Sequence, residues 1–163
     1  MIDKRFVEKK LSDIQAYHKE LENVLKYSDK EIKKDFLKLR ALERVLQLIV
    51  DEMIDINNHI IRYANLEIPD DFQSGFLFLA ENKILPEAFA RRIAPIVGLR
   101  NRLVHRYEII NLDILLDSIR KNKNNVKEYG RYIFQKGLTS ISLFSFKNSC
   151  LFRTSRAAPI YAV

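Results

Sequence analysis

Between Gly98 and Ile109 the chain places guanidinium groups at Arg100, Arg102 and Arg106, a carboxamide at Asn101, an imidazole at His105 and a phenol at Tyr107. These groups suit work on a phosphodiester. Arginine offers a planar fork of donors that matches phosphate oxygens, and histidine changes protonation near neutral pH. No acidic residue occurs from Ala88 to Tyr107, whereas Arg91, Arg92, Arg100, Arg102 and Arg106 all fall in that span. Solvated helix faces ordinarily mix their signs, so a positive local field and an anionic partner are expected.

Helical geometry constrains how these groups cooperate. At about 100° per residue, Arg100 and His105 point roughly 140° apart on an ideal helix. Asn101 and His105, four apart, share a face, which lets the amide orient the imidazole, and Arg100 nearly aligns with Tyr107. Two arrangements bring Arg100 and His105 to one phosphate. Either the helix ends near His105, or two subunits each contribute a copy of the motif to a shared groove.

The elements that hold the motif read as helices. All four glycines lie after residue 74 and the first proline is Pro69, so the opening segment lacks both strong helix breakers. Val7, Leu11, Ile14, His18, Leu21 and Leu25 line one face of a first helix. Ser28 and Glu31 have capping-box spacing and start a second. Its apolar face runs through Ile32, Phe36, Leu39, Leu42, Leu46, Ile49, Met53, Ile56, Ile60 and Tyr63, with a stop from Asn65 to Pro69.

Asp70 or Asp71 caps a third helix bearing Phe72, Phe76 and Leu79, and Pro86 suits the first position of a fourth. Pro95 and Gly98 predict a bend or break in that helix just before Arg100. Asn111 caps a fifth, packing through Leu112, Leu115, Leu116 and Ile119, with an interruption over Lys121–Asn125. The fold class is therefore all-α, an antiparallel bundle of about five helices. The bundle is expected over residues 1–137. Residues 138–163 contain no Asp or Glu and lose helical spacing, so they form an atypical tail, poorly ordered or loosely docked.

Composition bounds the function classes. At 163 residues the chain fits one domain with a real core. A net charge of +7 and a pI near 9.5 favour nucleic acid or another anionic partner. One cysteine, Cys150, excludes an intrachain disulfide and multi-cysteine zinc clusters, and no cationic cluster beside it argues for nucleophilic activation. His18 and His59 lack metal-ligand spacing and read as structural. The glycines are too sparse for a phosphate-cradling loop. Arg91 and Arg92 read as surface charge. No signal peptide pattern and no stretch of roughly 18 apolar residues is present, so a cytoplasmic, soluble protein without a membrane partner is expected.

The string Arg100-Asn101-Arg102-Leu103-Val104-His105-Arg106-Tyr107 resembles the signature of the HEPN superfamily: an arginine, a polar residue, three further residues and a histidine. With Tyr107 it looks like the HepT-like toxin branch. Asp51 through Ile61 and Pro69 through Ala80 are also similar, and the likeness runs from about residue 1 to 137. The tail does not share it, whether as an extension or as the product of a shifted reading frame.

The resemblance implies a homodimeric, HEPN-like helical ribonuclease that acts without metal or cofactor. It belongs to a type II/VII-like toxin–antitoxin pair and is silenced when a minimal nucleotidyltransferase antitoxin transfers AMP to the motif tyrosine. On this chain Arg100 and His105 would be catalytic, Asn101 supporting, Arg102 and Arg106 RNA contacts, and Tyr107 the modified residue. The chemistry is consistent, because RNA carries its own 2′-hydroxyl nucleophile and needs only proton transfer and charge stabilisation. Two other classes fit the same residues: a non-catalytic helical partner of a nucleotidyltransferase, and a plain RNA-binding or dimerisation module.

Overall fold

The computed structural model describes residues 3–64, 69, 71–105 and 111–137, with His105 described at the backbone only. Residues 65–68 of the stop expected from Asn65 to Pro69, the alternative cap Asp70, the motif positions Arg106 and Tyr107, and the tail all lie outside the described residues. Among the described residues the chain forms eight α-helices: α1 Lys4–Val24, α2 Asp29–Lys34, α3 Phe36–Tyr63, α4 Phe72–Glu81, α5 Glu87–Ile93, α6 Ile96–His105, α7 Leu112–Asn122 and α8 Asn124–Tyr132. A π-helical turn, Ile133–Gly137, follows.

The core is the seam between α1 and α3. The α1 stripe is buried as its spacing predicts, through Val7, Leu11, Ile14, His18 and Leu21, with Leu25 buried just beyond the helix. It meets Leu42, Leu46, Ile49, Met53, Ile56 and Ile60 of α3. Cross-links show that the two run antiparallel. The Asp3 amide donates to His59 Nε2 (3.1 Å), while Lys10 pairs with Glu52 and Asp55 (2.7 Å each). Burial alone would lower the Lys10 pKa, but hydrogen bonds to Asp55 and Glu52 and their charges raise it to about 12.

The expected five helices are divided further, and each division has a local cause. The Ser28–Glu31 capping box is present, but it opens only the short α2. Asp35 adopts extended backbone (φ −102°, ψ 107°) and its carboxylate accepts from the amides of Leu37 and Lys38, starting α3 afresh. Phe36 therefore leaves the apolar stripe and is 65% exposed, covered on one side by the Arg40 guanidinium.

Asp71 caps α4 as expected. Pro86 lies one residue before the first helical position, where its missing N–H again costs nothing. The break before the motif falls at Ala94–Pro95, and Gly98 lies within α6 instead of loosening it. A Cβ at Gly98 would stand 3.3 Å from Gln73 Nε2, so glycine permits the close approach of α6 to α4. Asn111 caps α7 through the amides of Asp113 and Ile114, and Lys123 separates α7 from α8.

Polar pins hold the smaller helices to the seam. Arg120 of α7 grips the α1–α2 turn through Asp29 and the carbonyls of Leu25 and Tyr27. His18 Nε2 lies 3.0 Å from the Lys123 carbonyl. In the centre, the buried Tyr129 hydroxyl of α8 donates to Asn57 Oδ1 (2.8 Å), and its ring meets Phe76 edge-on. Burial pushes the Tyr129 phenol well above its ordinary pKa. Asn57 Nδ2 is buried and has no hydrogen-bond partner among the described residues.

Two outcomes follow for stability. Tyr129→Phe leaves the Asn57 amide wholly unmet and should destabilise the fold by about 1–3 kcal/mol in urea unfolding. His59 is half-buried, and burial lowers its pKa from 6.5, with Arg62 reinforcing and Asp3 opposing the shift. The fold thus prefers neutral His59. Its contribution is complete above the unfolded value and is lost as pH falls through the lower folded value. Urea midpoints should fall with acidification in that window, and His59→Gln should flatten the trend.

Candidate nucleic-acid site

Helix α6 carries the described half of the motif. Its buried residues Val97 and Leu103 seat it against the core, while Ile96 and Leu99 are half-buried. The opposite surface presents Arg100, Asn101, Arg102 and Val104.

Arg100 is held from two sides. Its Nε donates to Asp51 Oδ1 of α3 at 2.8 Å, and its Nη1 donates to Asn101 Oδ1 at 3.3 Å. The side chains of Arg100 and Asp51 are 25% and 38% exposed, so the pair sits at the surface, within reach of solvent. Asp51 opens one of the segments, Asp51 through Ile61, that carry the family resemblance, but sequence reading did not single it out as a partner of Arg100. Spacing aligned Asn101 with His105, whereas here its carboxamide oxygen engages Arg100.

The backbone from Arg100 to His105 is continuous α-helix. On such a helix these two positions are separated by about 140°. The description of α6 ends at His105, so both expected arrangements, a helix end near His105 and a groove shared by two subunits, rest on features outside the described residues, as do Arg106 and Tyr107.

The arginines expected to make one positive field differ in their surroundings. Arg91 pairs with Glu87 (2.8 Å) and Arg92 with Glu128 (2.7 Å), which makes both surface charge, as expected. Arg102 is exposed and has no ion-pair partner among the described residues. It stands on the rim of a groove of about 340 Å³ between α6, α7 and the start of α8, floored by Ile93, Ile96, Leu99 and Leu115. Lys123 and Arg92 also line this groove, and among the described residues no carboxylate does. Arg102 and His105 are three positions apart and so adjacent on the helix surface, which places the groove beside the histidine's helical position. Sequence reading assigned Arg102 to RNA contact but missed the groove, because its other wall comes from residues after Asn111.

His18 and His59 are structural, as expected. Glu22 lies 3.7 Å from His18 Nδ1, and His59 accepts from the Asp3 amide and packs on Phe6. Among the described residues no cluster of His, Cys, Asp or Glu is assembled that could hold a metal ion. Among them, too, no helix is long and apolar enough to cross a membrane.

The chain is similar to known proteins in sequence and fold. The profile of a family described as Ribonuclease HepT-like matches residues 14–133. The chain is 31% identical over 121 residues to the mRNA nuclease HepT of Shewanella oneidensis, covering 74% of this chain and 90% of that protein. It shares 43% identity over 76 residues with the tRNA nuclease HepT of Aphanizomenon flos-aquae, 42% of this chain and 47% of the relative. Among solved structures, the tri-AMPylated HEPN toxin of Shewanella oneidensis in complex with MNT antitoxin superposes with a TM-score of 0.73 at 28% identity, covering 82% of this chain and 98% of that one. A toxin–antitoxin structure with AMP-PNP gives 0.71 at 28% identity, over 79% and 97% of the two chains. Matched across most of its helical part, with the Arg100–Tyr107 string inside the matched span, this chain belongs to the Ribonuclease HepT-like family.

Proposed function

We propose that this protein is an endoribonuclease toxin that cleaves RNA through attack of the 2′-hydroxyl, and that an MNT-type nucleotidyltransferase antitoxin silences it by AMP transfer. The observation that carries this reading is that the string Arg100 through Tyr107 falls inside the family match, with Arg100, Asn101 and Arg102 at the surface of α6. The relatives named as nucleases, and the solved toxin bearing AMP beside its antitoxin, support it.

In the proposed reaction Arg100 holds the non-bridging oxygens as charge builds on the phosphoryl group, and His105 moves the protons. Asn101 supports Arg100 through Oδ1. Arg102 and Arg106 contact the RNA backbone. In this reading guanidinium and imidazole, about 140° apart by helical position, meet across a twofold axis, Arg100 from one protomer and His105 from its partner, so a homodimer is the catalytic unit. Residues 1–137 form this helical unit and 138–163 a tail outside it. The reaction uses no metal, and the protein acts in the cytoplasm.

Tyr107 is the acceptor of AMP. The adduct adds a bulky anion beside the arginines and excludes RNA by charge and by volume.

Expression should arrest growth, and Arg100→Ala or His105→Ala should relieve the arrest. In purified protein either change should cut the cleavage rate by about 10²–10³-fold. Cleavage should persist in EDTA and leave a 2′,3′-cyclic phosphate; its abolition by chelator defeats the metal-independent mechanism. Complex formation with the nucleotidyltransferase, without arrest or cutting, favours the non-catalytic partner role. Separately, Tyr107→Phe should keep cleaving while escaping AMP transfer and inhibition. Continued modification of that variant, read by intact mass, would sink the tyrosine assignment.

A further inference from the structure

We infer that Asp51 is a positioning residue for Arg100, fixing the guanidinium so that its Nη edge faces the scissile phosphate; this rests on the ribonuclease reading above. The two residues are 49 positions apart and belong to different helices, and the contact is short, Nε to Oδ1 at 2.8 Å. Both backbones are rigidly placed. Asp51 lies between the fully buried Val50 and Met53 of α3, and Arg100 lies between Val97 and Leu103 of α6, each 2% exposed.

The direction of the grip matters. A carboxylate that took both ends of the guanidinium fork would compete directly with phosphate. Asp51 instead takes Nε, the side of the fork away from its tip, and Asn101 takes one Nη1 hydrogen. Of the five N–H donors of arginine, three, one on Nη1 and two on Nη2, have no acceptor among the described residues. The side chain is thereby limited to one orientation with its phosphate-binding edge unoccupied, which is what electrostatic preorganisation requires.

The fold alone does not call for this pair. Exposed ion pairs contribute little to stability, and the α3–α6 contact is already made by buried apolar residues such as Val97 and Leu103. A carboxylate beside the site also works against RNA capture, because it lowers the local positive potential. Its retained benefit must be in orientation, and this gives the role a distinctive signature: Asp51 should help turnover while slightly hindering binding.

The test uses Asp51→Asn, which keeps the shape and lets a carboxamide oxygen accept a weaker bond, and Asp51→Ala, which removes the acceptor. Both are compared with wild type and Arg100→Ala on a single-stranded RNA. We expect kcat to fall by up to about 10²-fold in Asp51→Ala and less in Asp51→Asn, while KM stays the same or decreases. In the Arg100→Ala background Asp51→Ala should add no further loss, since its effect passes through the arginine. The Arg100 Nε–H signal in ¹⁵N spectra should be resolved in wild type and averaged with the other arginines in Asp51→Ala.

Unchanged kcat in Asp51→Ala with wild-type cleavage intact overturns this proposal alone. So does a loss of rate that merely tracks the folded fraction by thermal melting, or one fully additive with Arg100→Ala. A wild-type protein that retains RNA without cutting it defeats the ribonuclease reading, and the proposal falls with it.

Discussion

The antiparallel contact of α1 with α3 is the constraint from which the rest of the molecule takes its positions. Residues buried on both helices make it apolar along its length, and Lys10 with Glu52 and Asp55 closes its rim with opposite charges. Helix α3 then has a second side, on which Phe76 of α4 and Val97 and Leu103 of α6 join the same core. The motif helix therefore rests on the longest element of the fold. A rigid support of this kind suits a site whose function depends on the direction of a guanidinium more than on its presence.

Charge in this protein is arranged by the fold as much as by the sequence. The span from Ala88 to Tyr107 is free of acids along the chain, yet Glu128 and Asp51 come to Arg92 and Arg100 from distant helices, and Glu87 reaches Arg91 from one turn away. Among the described residues Arg102 is left without an ionic partner, beside a groove to which no carboxylate contributes. The unpaired positive charge of this span is smaller than a count of arginines suggests.

Much of this was legible in advance. The four-and-three spacing from Val7 to Leu25, the Ser28–Glu31 box and the Asp71 and Asn111 caps all follow from local rules, because each depends on residues close along one helix. The division at Asp35 was not legible, since the apolar period continues through Phe36 and only the carboxylate's hydrogen bonds to Leu37 and Lys38 decide against it. Gly98 read as a loosened turn, whereas its role is set by Gln73 on another helix. For the motif, residue types and order were visible, but the partner of Arg100 was not. Periodicity reports which face a residue occupies, and it is silent on what a helix 49 residues away brings to that face.

The hydroxyl–carboxamide contact between Tyr129 and Asn57 has a consequence of another kind. Apolar side chains tolerate sliding, since leucine against isoleucine gains much the same contact one turn up or down. A phenol and an amide enclosed in hydrocarbon do not. Shifting α8 by one turn, about 5.4 Å, would strand both groups without water or each other. This buried polar meeting point acts as a detent, admitting one axial setting of α8 and rejecting its neighbours.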